Sequence, residues 1–358
     1  MKKTGILTFH RALNYGAVLQ CYGLYKVLCN LGVECEVIDY RCRQMEAVYR
    51  PFSVGHCYGF AAKMKKCLKS FQLAKKRKKF AAFSSAYLPL TRPCTPKTVS
   101  EMKDVFDYLV TGSDQVFNMD VTGEDYAYFL DFAGPDIKRI AYGASFGTRE
   151  VPAKYQERIQ NCLKTFEALS VREKSTATIG EKLSGKKVEA VLDPTLLLDR
   201  EVWCKIAKQP KGLPSKYVVV YMMEGCSYGI EKARQLAKAY DCDLVLINPT
   251  LKQQVTCRDF VLYPTVSPEE FLGIFLSAQA VVTNSFHGVA FSLIFEKAFY
   301  AEASNEEKAV RMTDLLEILE LSNRLLPNAS SSEIDWDKTR QLLAAQREQS
   351  IRWLRGAM

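Results

Sequence analysis

No apolar run in this chain reaches the roughly 18 to 20 residues that a membrane-crossing helix needs, so no such helix is expected. The twelve cysteines include no CxxC pair. They are scattered, mostly within apolar patterns, as Cys21 and Cys29 are. They read as reduced, mostly buried thiols of a cytoplasmic protein rather than as a disulfide frame or zinc site. No His/Asp/Cys set is spaced as a ligand cluster, so no metal is expected. The GxGxxG fingerprint is missing, which leaves little support for NAD binding. Met1, Lys2 and Lys3 make a basic start, but the apolar stretch 4–9 is too short for a secretory segment, and His10 and Arg11 interrupt it. Neither an internal repeat nor a low-complexity tract is present.

What is present is an ordinary globular balance, 48% apolar and 25% charged. A chain of 358 residues is too long for one core, so two domains are expected. The net charge of +9 matches one local cluster: residues 63–79 hold eight lysines and Arg77, with no acid. Met64, Cys67, Leu68, Phe71, Phe80 and Phe83 are interleaved with them. This basic amphipathic pattern fits a face for anionic lipid headgroups or a lipid-linked acceptor, with peripheral contact at the inner membrane face. The alternative is a solvated helix covering a sheet. The charge is confined to one element and no nucleic-acid motif accompanies it, so nucleic acid is not an expected partner.

The organising stretch is 281–299, VVTNSFHGVAFSLIFEKAF. It reads as a buried strand, a polar turn, a helix and the next strand. Asn284 or Ser285 is placed to cap the helix. Phe286, Val289, Ala290, Leu293 and Ile294 recur at helical spacing. His287 and Gly288 fall in the first turn, at the carboxyl end of a strand, where open α/β sheets bind ligands. A helix start suits an anion, a histidine ring titrates near neutrality, and a glycine lets a ligand approach the backbone. A hydrogen-bonded structural histidine is the plainer alternative. Only three histidines occur, and His287 has the best-defined surroundings.

Other strand ends are similarly polar. The strand 4–9 leads into Asn14 and Gly16, then a helix from about Ala17; the pair lines a turn facing a ligand cleft, or forms a purely structural turn. Strand 107–111 opens into Gly112, Ser113, Asp114, Gln115, Val116, Phe117 and Asn118, a crowd of small, acidic and amide groups suited to a polyhydroxylated ligand. Strand 139–144 ends at Ser145 and Gly147. Strand 168–171 ends at Arg172, on the same rim as Ser113 and Ser145. Arginine there binds phosphate or carboxylate bidentately, or pairs with Glu173. Asp193 and Pro194 break the pattern near a boundary.

Strands and helices alternate again from about 199. The expected fold is therefore α/β, with two Rossmann-like, doubly wound domains facing a cleft. The first covers 1–198, with a basic helical insertion at about 60–85. The second covers 199–330, and 331–358 is a helix packing back across both.

Six pieces in this order carry a resemblance: NYGAVLQCYGLYKVL at 14–28, GSDQVFN at 112–118, YGASFG at 142–147, SVREKS at 170–175, LDPTLLL at 192–198 and TNSFHG at 283–288. Together they make the chain similar to the polysaccharide pyruvyl transferase family over about 4–324. The resemblance implies an architecture like that of GT-B glycosyltransferases. It also implies transfer of pyruvate from phosphoenolpyruvate to sugar hydroxyls, giving a pyruvyl ketal and phosphate, with no cofactor. It places the donor near Arg172 and near Ser285, Phe286, His287 and Gly288, with Ser145 on the same rim. His287 is then the acid/base. Asp114 orients or deprotonates the acceptor, and Asn14, Gly16, Ser113, Gln115 and Asn118 contact it.

One departure stands out. Family members with transfer activity commonly carry Arg-Leu-His-Gly where this chain has Ser285-Phe286-His287-Gly288, so one phosphate-binding charge is missing, and Arg311 or another basic group is the expected replacement. Two other functions fit the same architecture: a glycosyltransferase using a nucleotide sugar, and a non-catalytic glycan- or phosphosugar-binding protein.

Overall fold

The computed structural model describes residues 2–49, 60–148, 150–222, 227–303 and 306–358, without the side chains of 60–63, 65, 66, 227 and 306–309. Cys57, Cys226 and the side chains of Lys63, Lys65 and Lys66 thus lie outside the described residues.

Two six-stranded sheets carry the chain, and every strand pair in both is parallel. The first holds β1 (Lys3–Leu7), β2 (Glu34–Val37), β3 (Tyr108–Asp114), β4 (Lys138–Ala144), β5 (Ala168–Val171) and β6 (Glu189–Ala190), in the order β2-β1-β3-β4-β5-β6. The second holds β7 (Tyr217–Tyr221), β8 (Asp243–Ile247), β9 (Val261–Tyr263), β10 (Ala280–Thr283), β11 (Ala298–Glu302) and β12 (Leu325–Leu326), in the order β12-β11-β10-β7-β8-β9. Parallel strands with helices on both faces are buried on both faces, so they read as continuous apolar runs. Tyr-Val-Val-Val-Tyr of β7 is buried throughout. Strand order reverses between β1 and β3 and between β7 and β10, which is where such sheets leave a crevice beyond the strand ends.

Two helices start at those crevices. The opening helix, Tyr15–Asn30, begins two residues earlier than its apolar periodicity indicates, because Asn14 supplies the cap by accepting from the Ala17 N–H. Twelve of its sixteen residues are buried. The histidine helix, Phe286–Ile294, is buried at all nine positions. A helix apolar on every side lies inside a structure rather than on it, and these two lie where the two halves meet. Tyr15 stacks on Phe271 with ring centroids 4.6 Å apart and donates its hydroxyl to the Val266 carbonyl. Trp203 bridges Tyr22 of the opening helix to Phe291 of the histidine helix.

The basic helix, Phe60–Tyr87, spans both halves: Arg77 pairs with Glu46, and Lys79 with Glu270 at 2.5 Å. Phe80 and Phe83 are core residues, whereas Met64, Leu68 and Phe71 stand exposed. The terminal helix, Trp336–Ala357, returns to the first sheet. Ser350 Oγ accepts from the Leu192 N–H at 3.0 Å, and Arg347 Nε donates to the Leu196 carbonyl at 2.8 Å. No described helix is long and apolar enough to cross a membrane.

Candidate active site

Asp193 stands at the centre of the polar cluster between the sheets, and its side chain is fully buried. One carboxylate oxygen, Oδ1, accepts from the Thr195 N–H (2.9 Å) and hydroxyl (2.7 Å). The other, Oδ2, accepts from Arg172 Nη1 at 2.8 Å and from the Ser113 hydroxyl at 3.1 Å. His287 Nε2 lies 3.6 Å from the same oxygen. Four of the six sequence motifs thus meet on one atom. The side chain that gathers them lies in the LDPTLLL piece but has no site role in the sequence reading, which takes it as a chain break before proline; Asp193 is the functional residue that reading missed. The signal was its position, since it follows the end of β6 as the other polar groups follow theirs.

Glycines explain how these pieces come so close. A Cβ on Gly16 would stand 1.9 Å from His287 Nδ1, and one on Gly23 would meet the Pro194 carbonyl at 2.7 Å. Gly16 is therefore not part of a ligand-facing turn; it sits in the first turn of the opening helix and makes room for the imidazole. Gly288 is corrected likewise. A Cβ there would fall 2.2 Å from Thr283 Oγ1, so the residue admits a strand side chain rather than a ligand.

Arg172 has a side chain 2% exposed and three carboxylates around it: Asp193, then Asp114 and Glu173 at 3.5 Å each. Its guanidinium lies 4.9 Å from the centroid of the Phe286 ring, a cation–π distance. Phe286 in turn meets His287 edge-on. Burial alone would weaken the guanidinium as a base, but Asp193, Glu173 and Asp114 outweigh it and raise its pKa. Burial would likewise raise the Asp193 carboxyl. His287, Arg172 and the Thr195 N–H oppose that and hold it well below the usual carboxylate range. Arg172 is thus a charge already compensated, and its Nε and Nη2 are buried without hydrogen-bond partners.

A cavity of about 350 Å³ opens beside this cluster. Asn14, Asp114, Gln115, Asn284, Ser285, Phe286, His287 and Arg311 line it, and Arg172 does not. Arg172 instead faces a neighbouring cavity of about 420 Å³, which Phe286 and Arg311 share. Arg311 lies 3.8 Å from Asp114 and 3.9 Å from Glu173. Burial and the nearby Arg172 lower its pKa against the pull of these acids. It shares the cavity with Ser285, the position where the sequence lacks an arginine.

Both central helices point their N-terminal ends at this cavity, and neither has an acid in its first turn. Ser285 occupies the cap position of the histidine helix, yet its side chain makes no capping hydrogen bond, contrary to the capping role expected of it. First-turn N–H groups and the positive dipole end suit a bound anion. Asp114 holds a left-handed backbone (φ 67°) at the tip of β3, with Oδ1 accepting from the Gln115 N–H. Such a conformation costs on the order of 1 kcal/mol or more and gathers at functional sites.

Three expected contacts lie elsewhere. Ser113 is buried against Asp193. Ser145 is buried and accepts from the Gly147 N–H. Asn118 caps the short helix Met119–Thr122 by accepting from the Asp120 N–H. These three build the walls behind the cavity rather than its surface. No group of three or more His, Cys, Asp or Glu positioned for a metal occurs among the described residues.

Comparison with known proteins agrees with this layout. An α-glucosyltransferase in complex with UDP and a 13-mer DNA aligns at TM-score 0.50 and 8% identity, over 99% of this chain and 95% of that one. The UDP-GlcNAc 2-epimerase of Neisseria meningitidis bound to UDP-GlcNAc aligns at TM-score 0.50 and 9% identity, over 98% and 91%. At such identities the likeness concerns the fold, which is of the GT-B kind with two α/β sheets. No curated protein matches the chain. The family model described as polysaccharide pyruvyl transferase matches residues 14–305, from the cap of the opening helix to beyond β11. The chain therefore belongs to the polysaccharide pyruvyl transferase family, a family of transferases.

Proposed function

We propose that the chain transfers pyruvate from phosphoenolpyruvate to a sugar in glycan assembly, in the cavity between Arg311 and His287. The observation that carries this reading is the convergence of two acid-free helix starts and Arg311 on a cavity that holds the His287 imidazole beside the Asp114 carboxylate. Phosphate and carboxylate of the donor are the anions such a site favours.

Two sugar hydroxyls add to the central carbon of the donor. One hydroxyl proton ends on the methylene, making it methyl; the carbon–oxygen bond to phosphate breaks, and phosphate leaves with the other proton. His287 is the group to carry protons. With Nε2 turned toward Asp193, Nδ1 is the nitrogen left for substrate, and Asp193 is a positioning residue that orients the ring. Asp114, on the same cavity, orients the attacking hydroxyl. Arg172 acts from behind, fixing Asp193 and Phe286, rather than as the main anion ligand. No step calls for a cofactor.

The test is incubation with phosphoenolpyruvate and candidate sugars, following phosphate release and pyruvate mass on the sugar. Turnover falling about 10² to 10⁴-fold in His287→Ala supports the assignment, and full activity in that variant removes it. Nucleotide released from a UDP-sugar, with phosphoenolpyruvate inert, replaces the reading with glycosyl transfer.

A further inference from the structure

A third cavity, again about 350 Å³, lies between the basic helix and the turn that follows β8. Its described lining holds Lys69 and Lys76 and not one carboxylate. Lys76 is 8% exposed. Its Nζ donates to Asn248 Oδ1 at 2.9 Å and sits 4.7 Å from the centroid of the Tyr15 ring. Two nearby cations on this helix are paired, Arg77 with Glu46 and Lys79 with Glu270, whereas the buried Lys76 has an amide and aromatic faces where an acid would be expected. Burial pushes its pKa down to about 8, so at neutral pH it remains largely cationic. An ammonium has three donors to place, and the described contacts use one. Asn248 holds a left-handed backbone (φ 54°) beyond the carboxyl end of β8, on the ligand-binding edge of the sheet.

This cavity adjoins the reaction cavity. Tyr49 borders both. Lys76 rests on Tyr15, and His287 rests on Gly16, the next residue. We infer that the Lys76 cavity receives an anionic group of the acceptor, a phosphate or diphosphate ester on the sugar whose hydroxyls react beside His287. The inference rests on the pyruvyl-transfer reading for the word acceptor, but not for the anion. The ester has two conceivable carriers, a soluble sugar phosphate and a lipid-linked sugar. Met64, Leu68 and Phe71, exposed along the same helix, bear on the second.

The experiment titrates the full chain with inorganic pyrophosphate and, separately, with phosphoenolpyruvate. In Lys76→Met, pyrophosphate affinity falls at least tenfold while phosphoenolpyruvate affinity stays within twofold, which also shows the variant is folded. Unchanged pyrophosphate affinity overturns the subsite. NMR of the lysine ε-carbons gives a second readout: saturating pyrophosphate moves the Lys76 midpoint upward from about 8, and an unmoved midpoint overturns the proposal. Lys76-dependent pyrophosphate binding without phosphoenolpyruvate binding keeps the subsite and removes pyruvyl transfer; the reverse pattern removes the subsite alone. The same sugar diphosphate is then offered free and on a lipid in vesicles. Loss with Lys76→Met in both arms supports the subsite, and an added loss with Phe71→Ser in the vesicle arm alone assigns the lipid carrier.

Discussion

Arg172 and Lys76 are both buried cations at the junction of the two sheets, and they are treated in opposite ways. Arg172 is surrounded by Asp193, Asp114 and Glu173; Lys76 has no acid among the described residues of its cavity. A charge enclosed by opposite charges is a structural part, costly to disturb and with little left to offer a ligand. A charge buried without one is held at an energetic cost that an incoming anion relieves. The pKa directions record the difference: raised for Arg172, lowered for Lys76.

The largest expected effect breaks the compensated side. Asp193→Asn leaves Arg172 buried without its nearest acid, and should lose about 3 to 5 kcal/mol in denaturant unfolding. A loss under 1 kcal/mol would show that Asp114 and Glu173 suffice. The uncompensated side is next. The folded pKa of Lys76, about 8, lies below its ordinary 10.5. Between those values the unfolded chain binds more protons, so stability rises with pH across that window. The rise attributable to Lys76 is on the order of 3 kcal/mol. Comparing wild type with Lys76→Met from pH 7 to pH 10.5 measures it, and parallel curves would refute the assignment. Gly16→Ala tests the contact between the two regions. Its methyl must displace the His287 ring, and a misplacement of about 1 Å lowers the proposed transfer roughly a hundredfold; unchanged turnover would mean the ring has room to shift. Phe71→Ser is the smallest, a change within about 0.5 kcal/mol in soluble stability, since the side chain is 68% exposed.

Much of the scaffold was legible in the sequence. Buried strands such as YVVVY, followed by polar turns and apolar-periodic helices, specify parallel α/β sheets, and polar residues at strand ends point to one rim. His287, Asp114, Gln115 and Arg311 do line one cavity. What escaped was tertiary. Asp193 looks like punctuation before Pro194, because nothing local says that three distant side chains turn toward it. Gly16 and Gly288 look permissive, because the neighbours they make room for lie far along the chain or in an adjoining strand. Lys76 is hidden among eight other basic residues, and only packing against Tyr15 and Asn248 separates it from them. Arg172 reads as an open anion clamp until the acids around it are seen.

The clamp between the terminal helix and the segment after β6 has a consequence for biogenesis. Ser350 and Arg347 hold the backbone on either side of Asp193, at Leu192 and Leu196. The same helix buries Leu343 and Leu354 in the main core, so the brace on the shared carboxylate and the closure of that core are supplied by one segment, the last of the chain to be synthesised.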